Sequence, residues 1–326
     1  WKTGSDFKLN NKLRLPQALL ITALGILLCL MTAYVPMLSI LSMAVPVPYA
    51  IIGTLTDNKY SILSLIATFF ILIFTVNPLY SVSVCIMSIV PGIFIGSAIR
   101  NNRKEDDFNK FDPIYIGTIV TMICVIVFFF IAKIVFKTNI LDDFMNILKE
   151  SINVQVAIME NAGMSLKEGF NTSDIVNYIN NMLPAILFLQ GMIVTFIIYA
   201  LETFVLRRIR VVNLRLPKFI DFYLPGNAVT ASFTIYILVL FMDLIKVNLY
   251  TDLIMLNLQL VFNFMFMLQG ISVSIYYLKK WIRGGSLKMI FMSLLILSVF
   301  GFMGISFVGM LDSIIDFRRV RSYKST

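Results

Sequence analysis

The sequence predicts an all-α, polytopic helical membrane protein with about nine hydrophobic segments and an extracytoplasmic amphipathic helical hairpin. Three observations predict it. Hydrophobic residues make up 59% of the 326-residue chain and charged residues only 14%, with a mean hydropathy of +0.87, whereas a soluble domain needs roughly 25% charged residues to cover its surface. Apolar runs of 17 or more residues recur along nearly the whole chain, and about 20 such residues cross the hydrocarbon layer as a helix. Those runs are apolar on every side, unlike the alternating strands of roughly ten residues that build a membrane β-barrel.

The segments are 17–35, 37–56, 60–76, 79–99, 114–136, 183–206, 227–246, 253–278 and 287–311. Lys and Arg accumulate in loops retained in the cytoplasm. Four basic regions stand out: Lys2 to Arg14, Arg100 to Lys110, Arg207 to Lys218 and Lys279 to Lys288. Four, two and two segments separate them in turn, so all four share one side and the N-terminus is expected in the cytoplasm. A full crossing by the ninth segment then carries the basic tail to the opposite side, with Asp312 and Asp316 placed to pair locally with Arg318 and Arg319.

Within the second segment, Pro46-Val47-Pro48 removes two backbone donors and disfavours helix at the residues before it. A break is expected there, either a kink packed between neighbours or one whose freed carbonyls face a cavity; Pro46, Pro48 and Tyr49 are the candidate cavity-lining residues. Gly92 and Gly96 form a GxxxG in the fourth segment, a pattern that lets helix backbones approach closely. In the sixth segment Glu202 stands one turn before Arg207-Arg208, its expected partners.

Residues 137–182 are not a membrane span. Leu141, Phe144, Leu148, Ile152, Val156 and Met159 recur at spacings of three and four, one apolar stripe on a helix of about six turns. Gly163 ends it, and a second short helix is expected from Thr172 or Ser173, both good N-caps, with Asp174 in the first turn. Parity puts this hairpin outside, as a lid docked by its stripe or an element that meets a partner. The chain thus divides into an N-terminal bundle, 1–136, the hairpin, 137–182, and a C-terminal bundle with a basic tail, 183–326.

Polar residues in a spanning helix mark helix contacts or a functional cavity. At about 100° per residue, Gln259, Asn263, Gly270, Ser274 and Tyr277 of the eighth segment share one sector, while Asn257 and Gln269 lie off it. This stripe reads either as packing glue or as a ligand site, and Gln190 in the sixth segment is a candidate to face it. Absences bound the chemistry. The chain has no histidine, so HExxH metalloproteases, Ser-His-Asp triads and other imidazole-based catalysis are excluded. Gly284-Gly285-Ser286-Leu287-Lys288 lacks the spacing of a P-loop. No catalytic set, metal site or cofactor is expected, and Cys29, Cys85 and Cys124 read as small buried hydrophobes. The net charge of +9 is accounted for by the basic loops and tail, which implies contact with anionic headgroups rather than nucleic acid.

Several stretches together resemble the YybS-type family of predicted bacterial membrane proteins. They are Tyr34-Val35-Pro36 with Pro46-Val47-Pro48, Gly92-Ile93-Phe94-Ile95-Gly96 before a basic loop, Met182-Leu183-Pro184-Ala185, and Arg215-Leu216-Pro217 with Leu224-Pro225. Gln269-Gly270, Tyr276-Tyr277, Leu311-Asp312 and Asp316-Phe317-Arg318-Arg319 complete the series. The resemblance implies a multi-pass protein of a bacterial cell membrane and no established activity. The first four segments are also similar in pattern to the S components of energy-coupling-factor transporters, which implies small-molecule capture. The reading that follows is a non-enzymatic membrane protein that binds or transports a small molecule and relies on a separate energising ATPase. The alternative is a scaffold of cell-envelope or sporulation machinery, acting through a protein partner at the outer hairpin.

Overall fold

A computed structural model describes residues 15–102, 111–162, 171–209, 216–224, 227–245, 250–281, 301 and 303–319. In chain order the helices are α1 (Leu15–Tyr34), a 3-10 helix (Pro36–Ala44), α2 (Pro46–Leu55), α3 (Asn58–Thr75) and α4 (Pro78–Val84). A π-helical turn (Cys85–Ile89) leads into α5 (Val90–Asn102), followed by α6 (Asp112–Val135), α7 (Ile140–Asn161), α8 (Thr172–Asn181) and α9 (Leu183–Arg208). A 3-10 turn (Phe219–Asp221) precedes α10 (Ala228–Leu244), α11 (Thr251–Trp281) and α12 (Met303–Ile315). No strand occurs among the described residues. Seven helical stretches are long and apolar enough to cross a membrane, and α10 and α12 are shorter apolar helices. These match the nine expected segments; the first part of the ninth lies outside the described residues.

The exposed side chains identify the solvent of these helices. On α1, Leu19, Leu20, Leu24 and Leu27 are 50–70% exposed, a continuous apolar face that water would not tolerate but acyl chains do. Hydroxyls turned inward satisfy themselves without water. Thr22, Thr68, Thr118 and Thr121 each donate to the carbonyl four residues back, at 2.7–2.9 Å. The protein is a helical, polytopic membrane protein.

Packing divides the chain into two units. The first comprises residues 1–177 and 187–216, and α2 is its centre: all ten residues from Pro46 to Leu55 are buried. The expected break is present. The chain runs as a 3-10 helix to Ala44, and α2 begins at Pro46, so the proline lacking an N–H takes a first-turn position where no intrahelical donor is required. Pro48 is likewise in the first turn, and Pro46, Pro48 and Tyr49 are all enclosed in packing. The Tyr49 ring lies against Gly25, its hydroxyl pairs with Thr68 Oγ1 at 2.8 Å, and with Cys29, Leu72, Cys85 and Ile89 it forms a buried cluster. All three cysteines are unpaired and buried.

Helix α5 lies directly on α2 because glycine permits it. A Cβ at Gly92 would collide with the Pro46 carbonyl, one at Gly96 with the Ala50 carbonyl, and one at Gly53 with the Ile93 carbonyl. The Gly92–Gly96 pattern is therefore a packing face, with α2 as its partner. Helix α9 joins this unit from Leu187 onward: Gly117 of α6 meets Thr195, whose hydroxyl lies 3.3 Å from that of Thr121.

The hairpin helices form as expected, with two differences. Asn171 caps α8, accepting at its Oδ1 from the Ser173 amide at 3.1 Å and the Ser173 hydroxyl at 2.7 Å, so Thr172 and Ser173 fall inside the helix rather than before it. The α7 stripe is only half covered. Leu141, Leu148, Ile152 and Val156 are half-buried, while Phe144 and Met159 remain 48% and 46% exposed. Gly163 lies outside the described residues.

The second unit comprises residues 178–186 and 217–326. Helices α11 and α12 touch through glycine: a Cβ at Gly270 would strike the Ile305 carbonyl, and one at Gly309 the Phe266 carbonyl. A buried polar network locks their ends. Gln269 accepts from the Leu224 amide at 2.9 Å and donates to Asp312 Oδ2 at 2.9 Å. Arg318 uses all five of its N–H groups: Nε and Nη2 on Asp312 Oδ2, Nη1 on the Ile220 carbonyl and Ser272 Oγ, and Nη2 again on the Phe222 carbonyl. The local Asp–Arg pairing expected at the end of the ninth segment is this bridge, at 2.8 Å.

Candidate functional site

A recess of about 260 Å³ opens in the second unit between α10, α11 and α12. Helix α10 contributes Ser232, Phe233 and Tyr236, successive positions on one face; α11 contributes Gln259, Phe262, Asn263 and Phe266; and α12 contributes Met310. Lining positions on α11 recur at three and four residues, which places them on one side of that helix. Aromatic rings and a methionine supply an apolar wall, with no Asp, Glu, Lys or Arg among these residues.

The polar groups of the recess differ in what they already bond. Ser232 turns its hydroxyl back to the Val229 carbonyl at 2.8 Å. Ser306 donates to the Asn263 carbonyl at 2.9 Å, tying α12 to the backbone of α11 beside the recess. The Gln259 and Asn263 carboxamides and the Tyr236 hydroxyl have no hydrogen-bond partner among the described residues. Two amides and a phenol on an apolar wall can together donate and accept several hydrogen bonds, and an unsatisfied polar group at membrane depth is costly.

The stripe predicted on α11 is thus two features. Its N-terminal part, Gln259 and Asn263, lines the recess. Its other members are used otherwise: Gly270 admits α12, Ser274 donates to the Gly270 carbonyl of its own helix at 2.9 Å, and Tyr277 points its hydroxyl at the Phe317 carbonyl just past α12, 3.5 Å away. The amides that lay off the stripe are the ones bonded inside the unit. Asn257 accepts from the Ala185 amide and donates to the carbonyls of Asn181 and Leu253 at 2.7–2.9 Å, and Gln269 holds the Asp312 network. Gln190 is exposed on the part of α9 that belongs to the first unit. Ser232 and Tyr236 went unread in the sequence, because neither stands out from the apolar run of α10 until α11 is placed beside it.

Glu202 is a correction. It does not pair with the exposed Arg207 and Arg208 but is wholly buried in the first unit, bonded to Thr54 on α2. Nearness along the chain suggested the arginines, but position 202 falls on the packed side of α9, where Ile198, Tyr199 and Leu206 are also buried. Among the described residues no group of three or more His, Cys, Asp or Glu could hold a metal ion.

Comparison with known proteins agrees with this architecture. The family model described as "Predicted membrane protein (DUF2232)" matches residues 23–313. The chain is also similar to "Uncharacterized protein YybS" of Bacillus subtilis (strain 168), 24% identical over 270 residues that cover 82% of this chain and 84% of that protein. No solved structure matches it. The family match runs from within α1 into α12, and on that extent the chain belongs to the DUF2232 family of predicted membrane proteins.

Proposed function

We propose that the protein binds a small, uncharged molecule with hydrogen-bonding groups in the recess of the second unit. One observation carries the reading: Gln259 and Asn263 hold unpartnered carboxamides on an otherwise apolar wall within a spanning helix. Such groups are stabilised when a ligand completes their hydrogen bonds. A lining without a carboxylate, ammonium or guanidinium group favours a neutral ligand over an anion or cation. The protein is read as a binder or transporter in a bacterial cell membrane, N-terminus in the cytoplasm, rather than an enzyme. Transport would draw its energy from a separate ATPase, because the sequence holds no P-loop.

The test pairs mass spectrometry of small molecules extracted from the purified protein with its melting temperature, for wild type and the Gln259→Leu/Asn263→Leu variant. A compound retained by wild type and lost from a variant that melts normally supports the reading. Equal extracts from the two proteins, or a variant that melts lower while retaining the same compound, rejects it. A scaffold role has its own support in the half-covered stripe of α7, which offers Phe144 and Met159 to a partner. Crosslinking from α7 to a single protein, with no retained compound, would favour that second reading.

A further inference from the structure

A second recess, of about 370 Å³, lies in the first unit between the first turn of α3 and the last turns of α5. We propose that it holds one acidic phospholipid, its phosphate against Arg100 and an acyl chain along Phe94 and Ile62. This site is separate from the recess in the second unit and stands independently of the function proposed for it.

The unmatched groups of the recess favour an anion. Arg100 donates to the Thr56 carbonyl at the end of α2 and to Asn58 Oδ1, which fixes the guanidinium plane and leaves three of its five N–H groups without a partner among the described residues. It forms no ion pair among the described residues, and Asp57, the residue before α3, is already engaged. This half-buried cation at the end of a spanning helix has no counter-ion among the described residues. Ser61, also in the lining, is 1% exposed and its Oγ has no hydrogen-bond partner. The recess adjoins the N-terminus of the 18-residue α3, whose dipole adds to the attraction for negative charge.

The remaining walls suit a lipid more than a free ion. Arg100 and Asn58 stand at the ends of their spans, the depth of headgroups. Ile93 and Phe94 lie two turns deeper on α5, about 10 Å, and Ile62 and Phe94 are 59% and 49% exposed toward the hydrocarbon. Polar groups at the membrane surface over an apolar track reproduce the division within a phospholipid.

The full chain, purified in detergent, is incubated with dioleoyl phosphatidylglycerol, dioleoyl phosphatidylcholine or inorganic phosphate and analysed by native mass spectrometry. Wild type should retain one phosphatidylglycerol and bind it at least about tenfold more tightly than phosphatidylcholine. Arg100→Gln should remove that preference. Because Arg100 also ties α2 to α3, Ser97→Leu is the second variant: Ser97 is half-buried in the lining and makes no hydrogen bond among the described residues, so leucine fills the space and leaves Arg100 in place. It should lose phosphatidylglycerol while keeping the wild-type melting temperature. The proposal is overturned by equal retention of the two lipids, by phosphatidylglycerol binding unchanged in folded Ser97→Leu, or by inorganic phosphate displacing the lipid's preference at the same concentration.

Discussion

A methyl group at Gly96 would run into the Ala50 carbonyl of α2, and backbone cannot swing aside as a side chain can. Gly96→Ala is therefore expected to destabilise the first unit by about 1–3 kcal/mol, the range of overpacked cores. Gly191→Ala serves as the control, because its nearest neighbours would stand at 3.6–3.7 Å, ordinary contact; thermal melts in one detergent should separate the two variants. In the second unit, Asp312→Ala would strand the buried Arg318 guanidinium, at a cost of about 3–5 kcal/mol. A double variant with Arg318→Met should recover much of that loss, since the uncompensated charge leaves with its partner. The glycine pair was legible because small residues four apart announce a close helix face in any sequence. Its partner was not, since Pro46 and Ala50 carry nothing on their side chains that marks their carbonyls as the contact. Gln269 and Glu202 show the same limit: a helical projection says which residues share a face, and only neighbouring helices decide which face is buried.

Among the elements, α2 and α7 are opposites. Both were legible as units, one from its prolines and the other from its apolar stripe. Their surroundings were not, because burial depends on what packs against an element. Helix α2 is buried along its whole length by α5, α1 and α3, whereas α7 has no fully buried residue among those described. Leu148→Asp and Ile152→Asp on α7 should accordingly lower stability by no more than about 1 kcal/mol, since half-buried positions forfeit only part of the roughly 1.5–3 kcal/mol that full burial contributes. Leu72→Asp, at a fully buried position of α3, should prevent stable folding by adding the desolvation of a carboxylate. Urea or heat titrations of the three proteins test this, and a large loss at Leu148 would show that α7 is docked more firmly than its exposure indicates.

At the scale of the whole molecule the open quantity is orientation, which depends on charge outside the helices more than on packing within them. The native cysteines make it measurable without a cysteine-less background, since Cys29, Cys85 and Cys124 are all buried and should not react with a membrane-impermeant maleimide. Arg208 is exposed at the end of α9, and Asp143 is exposed in the first turn of α7. With Lys and Arg held in the cytoplasm, Arg208→Cys should stay unlabelled in intact cells and react once they are permeabilised, while Asp143→Cys should react in both. Labelling of Arg208→Cys in intact cells would invert the map. The last helix adds a separate question. Its described part, Met303–Ile315, is 13 residues, or about 20 Å of a hydrocarbon layer near 30 Å, so a complete crossing needs the residues of 287–300 as helix too. A cysteine at Ser325 reports the result directly. Labelling in intact cells places the tail opposite Arg208 and requires the full crossing, and labelling only after permeabilisation leaves the tail with the other basic regions and makes the final segment a re-entrant one.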